Sequence, residues 1–228
     1  MQARLSKASI VQAALDLLDE AGIDGLTVRA LASRLGVQAP ALYWHVRDKQ
    51  DLLDEMATEI WRRVATEMAA LPPGLPWDEG MTAFAAITRR ALLAHRDGAK
   101  VFSGTYLTDA SLLEAQEAGL QRMLSEGFTL PDVIRAYSLL YAFTVGFCIE
   151  EQSVAQAIAA GDERYSLAHR ARRVDGRAHP LVVQSGPEIF GDPDRRFADL
   201  VALIVDAAGR LRHAMSHRPA AEETGEEP

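Results

Sequence analysis

Apolar positions recur at helical spacing along most of this chain. Ile10, Ala13, Ala14, Leu17, Leu18 and Ala21 follow the i, i+3, i+4, i+7 pattern of an amphipathic helix, with Ser6 as its cap and Gly22 just past its end. Thr27 caps a second helix running to Leu35, and Gly36 supplies the sharp turn after it. A third, short helix starts near Gln38, accepts Pro40 in its first turn, and runs out around Val46. Asp48 then caps a long helix to about Ala70, striped by Leu53, Met56, Ala57, Ile60 and Val64, and the run Leu71–Pro76 ends it.

Further helices are predicted over Trp77–Ala94 and Asp109–Glu126, with a mixed stretch, short helix or loop, at His95–Leu107. Thr129 and Asp132 open a long apolar helix to about Ala157. From Ala159 to about Asp192 the periodicity lapses, which predicts a mobile loop around a short helix near Leu181–Gln184. A last helix, Asp194 to about His217, carries Phe197, Leu200, Val201, Ile204, Ala207, Ala208 and Leu211 on one face; the acidic stretch 218–228 is predicted to be disordered. The pattern holds no strand and no internal repeat. The fold class is therefore all-α: a three-helix head (1–49), a connecting helix (50–70), a larger helical domain (71–217) and a tail.

Two helices joined by a Gly-containing turn, the second one short, form a helix-turn-helix. Tyr43, Trp44 and His45 at the end of that short helix are poor core material and good groove material. The alternative is an unrelated three-helix cap whose aromatics simply pack. Charge at first disagrees with DNA binding, since the 228 residues carry a net −8. Divided, the first 50 residues hold six basic and five acidic side chains, a net +1, which leaves −9 for the rest. A neutral-to-basic reading surface on an acidic body fits a protein that duplex DNA meets from one side only. A single cysteine, Cys148, forms no internal disulfide and fits a reducing cytoplasm. There is no apolar run behind Arg4 and Lys7 to make a leader, and no stretch of about 18 apolar residues to span a membrane.

The runs Leu26–Ala32, Leu35-Gly36-Val37 and Leu42–Val46, with Lys49, are similar to the tetracycline repressor family. The likeness continues through Ala94–Lys100, Phe143–Gly146 and Glu150-Glu151-Gln152, and fades beyond about Gln152. The resemblance implies a homodimeric, ligand-responsive repressor of a palindromic operator, with no catalysis and no cofactor. It assigns Arg29 to a guanine edge, and Gln38, Ala39, Pro40 and Ala41 to the major groove. Thr27, Tyr43 and Lys49 go to phosphate, and Trp44 and His45 to the seam with the DNA backbone. Close relatives carry polar base readers at the positions of Ala39 and Ala41, so a different operator is implied.

The same resemblance places a ligand cavity in the larger domain. The family's metal-ligating histidine is Phe102 here, its drug-holding histidine, asparagine and phenylalanine are Ala65, Phe84 and Thr88, and an Arg-Pro pair is Tyr106-Leu107. Glu150 alone stays in register. Phenylalanine cannot ligate metal, so a magnesium-chelated drug is not implied. The remaining lining (Phe84, Phe102, Tyr106, Leu107, Phe143 and Phe147, with Thr88, Tyr137 and Glu150 as polar handles) suits a flat, largely apolar molecule, such as an aromatic natural product or antibiotic; the same side chains also suit plain core filling. The resemblance further makes Phe197, Leu200, Val201, Ile204, Ala208 and Leu211 half of a dimer interface; burial within one subunit is the alternative. Rival functions are an activator or uninduced regulator and, from another class, a helical protein that sequesters small molecules. Three patterns carry no chemistry. His95-Arg96-Asp97 mimics a kinase triplet without its glycine loop. His213 and His217 lack a third zinc ligand. Adjacent Glu150 and Glu151 point to different helix faces.

Overall fold

The computed structural model describes residues 5–214, with side chains to 212. The expected tail, His217 and the end of the last helix lie outside the described residues. Those described form helices and turns, with no strand among them. Ser6 caps α1 (Lys7–Gly25) in a reciprocal pairing with Ser9, and the regular helix breaks at Gly22, whose φ of 70° and ψ of 178° are non-helical. Thr27 caps α2 (Val28–Leu35) by accepting from the Ala30 N–H at 3.1 Å, and Gly36 closes it in the left-handed region at φ 65°. In α3 (Ala39–Leu42) the α-helical stretch is one turn shorter than the sequence suggests. Tyr43, Trp44 and His45 follow it as a turn, in which His45 and Val46 N–H both donate to the Leu42 carbonyl. Leu42 and Val46 are buried anchors, so the chain tightens there before Asp48 caps the next helix.

That helix, α4 (Lys49–Ala69), carries the chain into a body made of α5 (Trp77–Leu93), α6 (Gly98–Phe102), α7 (Ser111–Ser125), α8 (Leu130–Ala159) and α12 (Pro193–Ala214). Helix α8 packs on α5, α6, α7 and α12, and α4 on α1, α5, α6 and α7. Two apolar cores result. One runs unbroken from Ile10, Leu18 and Leu31 in the head through Met56 and Ile60 to Phe102 and Cys148; the other gathers Met81, Phe128, Leu140, Phe147 and Phe197. Phe84 packs against both.

Helix α8 is long and apolar enough to cross a membrane by length and mean composition alone, although Arg135 and Glu150 interrupt it and no run of about 18 apolar residues occurs, as expected from the sequence. Its inner side is core, and an outer side of Leu130, Ile134 and Leu139 remains exposed. The stretch after it is not one loop around a single helix. A 3-10 turn (Glu163–Tyr165), α9 (Leu167–Arg173), α10 (Pro180–Gln184) and α11 (Gly186–Phe190) pack on one another. Side-chain caps at Asp162 and Ser166 and prolines at the starts of α10 and α11 make helices too short to show periodicity.

Head and body meet at the turn between α5 and α6. Asp97, itself left-handed at φ 58°, accepts from the Ile23 N–H at 3.0 Å, from Lys100 at 2.8 Å and from Gln156 at 3.2 Å. Gly22 makes this approach possible, because a Cβ there would lie 3.0 Å from the Asp97 carboxylate. Its φ and ψ also belong to a region that only glycine occupies readily. Gly22→Ala is therefore expected to lower stability by about 1–3 kcal/mol in urea unfolding. An unchanged midpoint would show that the junction relaxes freely.

Candidate DNA-reading surface and ligand seam

The DNA candidates come from α2 and α3 with their caps, the turn that follows and the start of α4, and most are exposed. Thr27, Arg29, Gln38, Pro40 and Lys49 are exposed, while Ala39, Ala41 and His45 are half-buried. Trp44 is 88% exposed and Tyr43 53%. A tryptophan left in water by the packing of its own subunit is unusual, because its ring is one of the largest apolar surfaces a side chain offers.

Ion pairing sorts the basic residues of the head. Arg34 is held by Glu20 at 2.7 Å, Arg47 by Asp51 at 3.1 Å, and Lys7 by the buried Glu55 at 2.8 Å. Among the described residues Arg29 and Lys49 have no carboxylate partner; the Lys49 ammonium reaches only the Ile23 carbonyl, at 3.3 Å. The two cations assigned to base and phosphate are thus the ones left available. Arg4 lies outside the described residues.

In the body the predicted ligand residues do not form one site. Phe84, Phe102 and Tyr137 belong to a chain of ring contacts. Trp61 meets Phe102 at 5.5 Å and Phe84 at 5.8 Å, Phe84 meets Tyr137 at 5.4 Å, and Phe102 meets Tyr141 at 5.8 Å. Phe143 and Phe147 instead join Phe197 of α12 in a second cluster with centroids 5.2–5.6 Å apart. Tyr106 is 75% exposed, and Leu107 and Glu150 are also exposed, so these three stand apart from both clusters. The carboxylate turned towards the body is Glu151, which clasps Arg89 with two bonds of 2.7 and 3.0 Å while Asp194 takes a third at 2.7 Å. Glu150 and Glu151 do diverge.

Two buried side chains of α5 and α8 form a polar anomaly. Thr88 on α5 and Thr144 on α8 are wholly buried, and neither hydroxyl has a hydrogen-bond partner among the described residues. Thr88 is one turn beyond Phe84, and Thr144 precedes Phe147 and Cys148. An unpaired buried hydroxyl costs about 1–3 kcal/mol, so a seam holding two is poorly satisfied by its own protein atoms. Tyr137 is half-buried, and that desolvation raises its phenol above its ordinary value. Burial pushes the Cys148 thiol up to about 12, which leaves it protonated and unreactive at neutral pH.

Two partners were missed in the sequence: Trp61 and Tyr141. Trp61 follows Ile60 and precedes Arg62-Arg63, a context that looks like a solvated face; its position one turn before Ala65, which the resemblance placed at the ligand, was the available signal. The loop after α6 is also tied to α4. Asp109 accepts from Arg62 at 2.7 Å, Thr58 from the Thr108 N–H at 3.0 Å, and Asp54 from the Tyr106 N–H at 3.1 Å. Arg62 and Ser111 hold the Asp109 carboxyl down at about 2.

The dimer stripe divides as well. Phe197, Val201 and Ala208 are buried within the subunit, against α5 and α8, and Ile204 and Leu211 are half-buried. The sequence stripe therefore marks mainly the inner face of α12. The outward apolar residues are Leu200 and Leu203, the latter 62% exposed. His95 and Asp97 of the kinase-like triplet are structural: His95 is buried between Asp19 at 2.9 Å and Arg63 at 2.9 Å.

Two family descriptions match this chain: bacterial regulatory proteins of the tetR family over residues 10–56, and the tetracyclin repressor-like C-terminal domain over residues 71–207. The class A tetracycline repressor protein from transposon 1721 of Escherichia coli is 36% identical over 211 residues, 92% of this chain and 93% of that one. A possible TetR family transcriptional regulator of Streptomyces coelicolor A3(2) superposes with a TM-score of 0.78 at 37% identity, covering 90% of this chain and all of that one. The ActR protein of Streptomyces coelicolor, solved in complex with actinorhodin, superposes with a TM-score of 0.75 at 27% identity over 90% of this chain and 96% of its own. With both halves matched and the helix-turn-helix in place, the chain belongs to the tetracycline repressor family of transcriptional regulators, which are DNA- and ligand-binding proteins rather than enzymes.

Proposed function

We propose that this protein is a homodimeric cytoplasmic repressor of a palindromic operator, released by a flat, largely apolar aromatic molecule without magnesium. The observation that carries the DNA half is the outward presentation of Trp44 and Tyr43 beside the unpaired Arg29 and Lys49. In this arrangement α2 and α3 enter the groove, Arg29 reads a guanine edge, and Thr27, Tyr43 and Lys49 fix the phosphate register. Gln38, Ala39, Pro40 and Ala41 offer one polar and three apolar contacts, which favours adenine and thymine-methyl readout.

The ligand half rests on the seam between α5 and α8. Phe84, Phe102 and Trp61 supply apolar walls, Thr88 and Thr144 supply hydroxyls that need partners, and Phe102 replaces the metal ligand of the family's drug chelators. A similar protein solved in complex with actinorhodin is consistent with a small-molecule ligand in this domain. Trp61 belongs to α4, the only covalent link between head and body. A ligand that wedges between Trp61 and Phe84 shifts α4 and with it the head. Release from DNA needs the ligand to prefer the shifted state by about 1–3 kcal/mol. An efflux or resistance gene is the target that best fits such an inducer.

Dimerisation rests on the outer faces of α8 and α12, where Leu130, Ile134, Leu139, Leu200 and Leu203 remain exposed on adjacent helices. A patch of this kind on a regulator with one short reading helix calls for a second copy. Leu203→Glu is expected to convert the dimer to monomer in analytical ultracentrifugation while helix content is retained; a persistent dimer moves the interface elsewhere. Arg29→Ala should weaken operator binding by about 1–3 kcal/mol and relax preference at one base pair, measured by fluorescence anisotropy on the protein's own upstream DNA. Unchanged affinity and unchanged preference would remove Arg29 from the reading surface.

A further inference from the structure

The short helices between α8 and α12 line a half-open cavity of about 390 Å³ that shares no residue with the reading surface or the α5–α8 seam. Its walls include Ser166, His169, Arg170, Arg173, Tyr165 and Phe190. This is a basic spot on an acidic body: from Glu163 to His179 there are five arginines and two histidines against two carboxylates.

The arginines are not equivalent. Arg164 is neutralised by Asp162 at 2.6 Å, and Arg172 faces Glu163 at 3.7 Å. Arg170 and Arg173 have no carboxylate partner among the described residues. The Arg170 guanidinium lies 5.0 Å over the Phe190 ring and donates to the Val182 carbonyl at 3.2 Å, while its Nε is buried without any acceptor among the described residues. A half-buried guanidinium fixed on an aromatic face, with a second one lining the same cavity, is a charge arrangement that its own protein leaves uncompensated. An anion between them would offset the repulsion, and the fixed orientation of Arg170 suits the planar fork geometry of a carboxylate.

The apolar walls narrow the class. Phe190, Tyr165 and Val174 give a bare inorganic anion nothing to touch, and the volume falls within the range of small-molecule sites. We propose that this cavity binds a small aromatic carboxylate, its acid group on Arg170 and Arg173 and its ring against Phe190. Bound there, the ligand would sit on the connection joining α8 to α12. The inference is independent of the DNA and seam readings, because it uses none of their residues.

The test is isothermal titration calorimetry of the full-length protein with 2-naphthoate, with 2-naphthalenemethanol as the neutral isostere and with inorganic phosphate. Saturable one-to-one binding of naphthoate is expected, with at least tenfold weaker binding of the alcohol and of phosphate. Arg170→Gln combined with Arg173→Gln should weaken naphthoate at least tenfold while circular dichroism stays unchanged. If that double variant loses helix, the exposed Arg173→Gln alone serves, with at least a threefold loss expected. Absence of naphthoate binding, equal binding of the alcohol or phosphate, or undiminished binding by a folded variant would each overturn the proposal. Operator affinity without added acid should be the same in wild type and variant, so failure here is distinguishable from failure of the repressor reading.

Discussion

The structure depends on how a one-turn reading helix with a small head is held to a much larger body. The hold is made at the α5–α6 turn. Asp97 takes the Ile23 N–H, Lys100 and Gln156, while Asp19 of α1 takes the Arg96 N–H and the His95 ring. Burial works against the Asp97 charge, yet the Lys100, Ile23 and Gln156 hydrogen bonds outweigh it and keep the carboxyl below its ordinary value. Gln152 secures the turn from behind, donating to the Leu92 and His95 carbonyls and accepting from the Ala99 N–H. Helix α8 is thereby linked to the head by polar bonds as well as through α4. Polar bonds of this kind have direction, so small shifts in α8 or α4 change which of them survive.

That arrangement explains why the two cores differ in character. The first runs continuously from head to body, so the head shares its packing with α4 and the body. The second, around Phe128, Phe147 and Phe197, fastens α12 to α8 and leaves Leu130, Ile134, Leu139, Leu200 and Leu203 exposed on the two helices. Arg89, clasped by Glu151 and Asp194 and stacked 4.9 Å from Phe197, fixes the start of α12 on this core. Thr88 on α5 and Thr144 on α8 are buried with hydroxyls that no polar group among the described residues matches.

Much of the fold was legible from spacing alone. The long helices obey a 3.6-residue period, and the caps at Ser6, Thr27, Asp48 and Thr129 are where the side-chain chemistry puts them. The elements between α8 and α12 were not legible, since helices of five to seven residues are too short for periodicity and are set by tertiary packing such as Arg170 on Phe190. The exposure of Tyr43 and Trp44 was legible because large half-polar aromatics beside a short helix are poor core material, although they lie in the turn after α3 and not on the helix itself. The ligand seam was less so. Register against the family placed Tyr106 and Glu150 in the cavity, but both point to solvent, and Trp61 was hidden in a polar run. The α12 stripe showed that one face is buried without showing against what: Phe197 and Val201 answer to their own subunit.

The central claim is that two copies present α3 to successive major grooves of one duplex. Hydroxyl-radical footprinting and methylation interference on the protein's upstream DNA test it most directly. The account predicts two protected patches related by a two-fold axis, with interfering guanines in major grooves about 34–36 Å apart. A single patch, or protection spread without symmetry along the duplex, would contradict it.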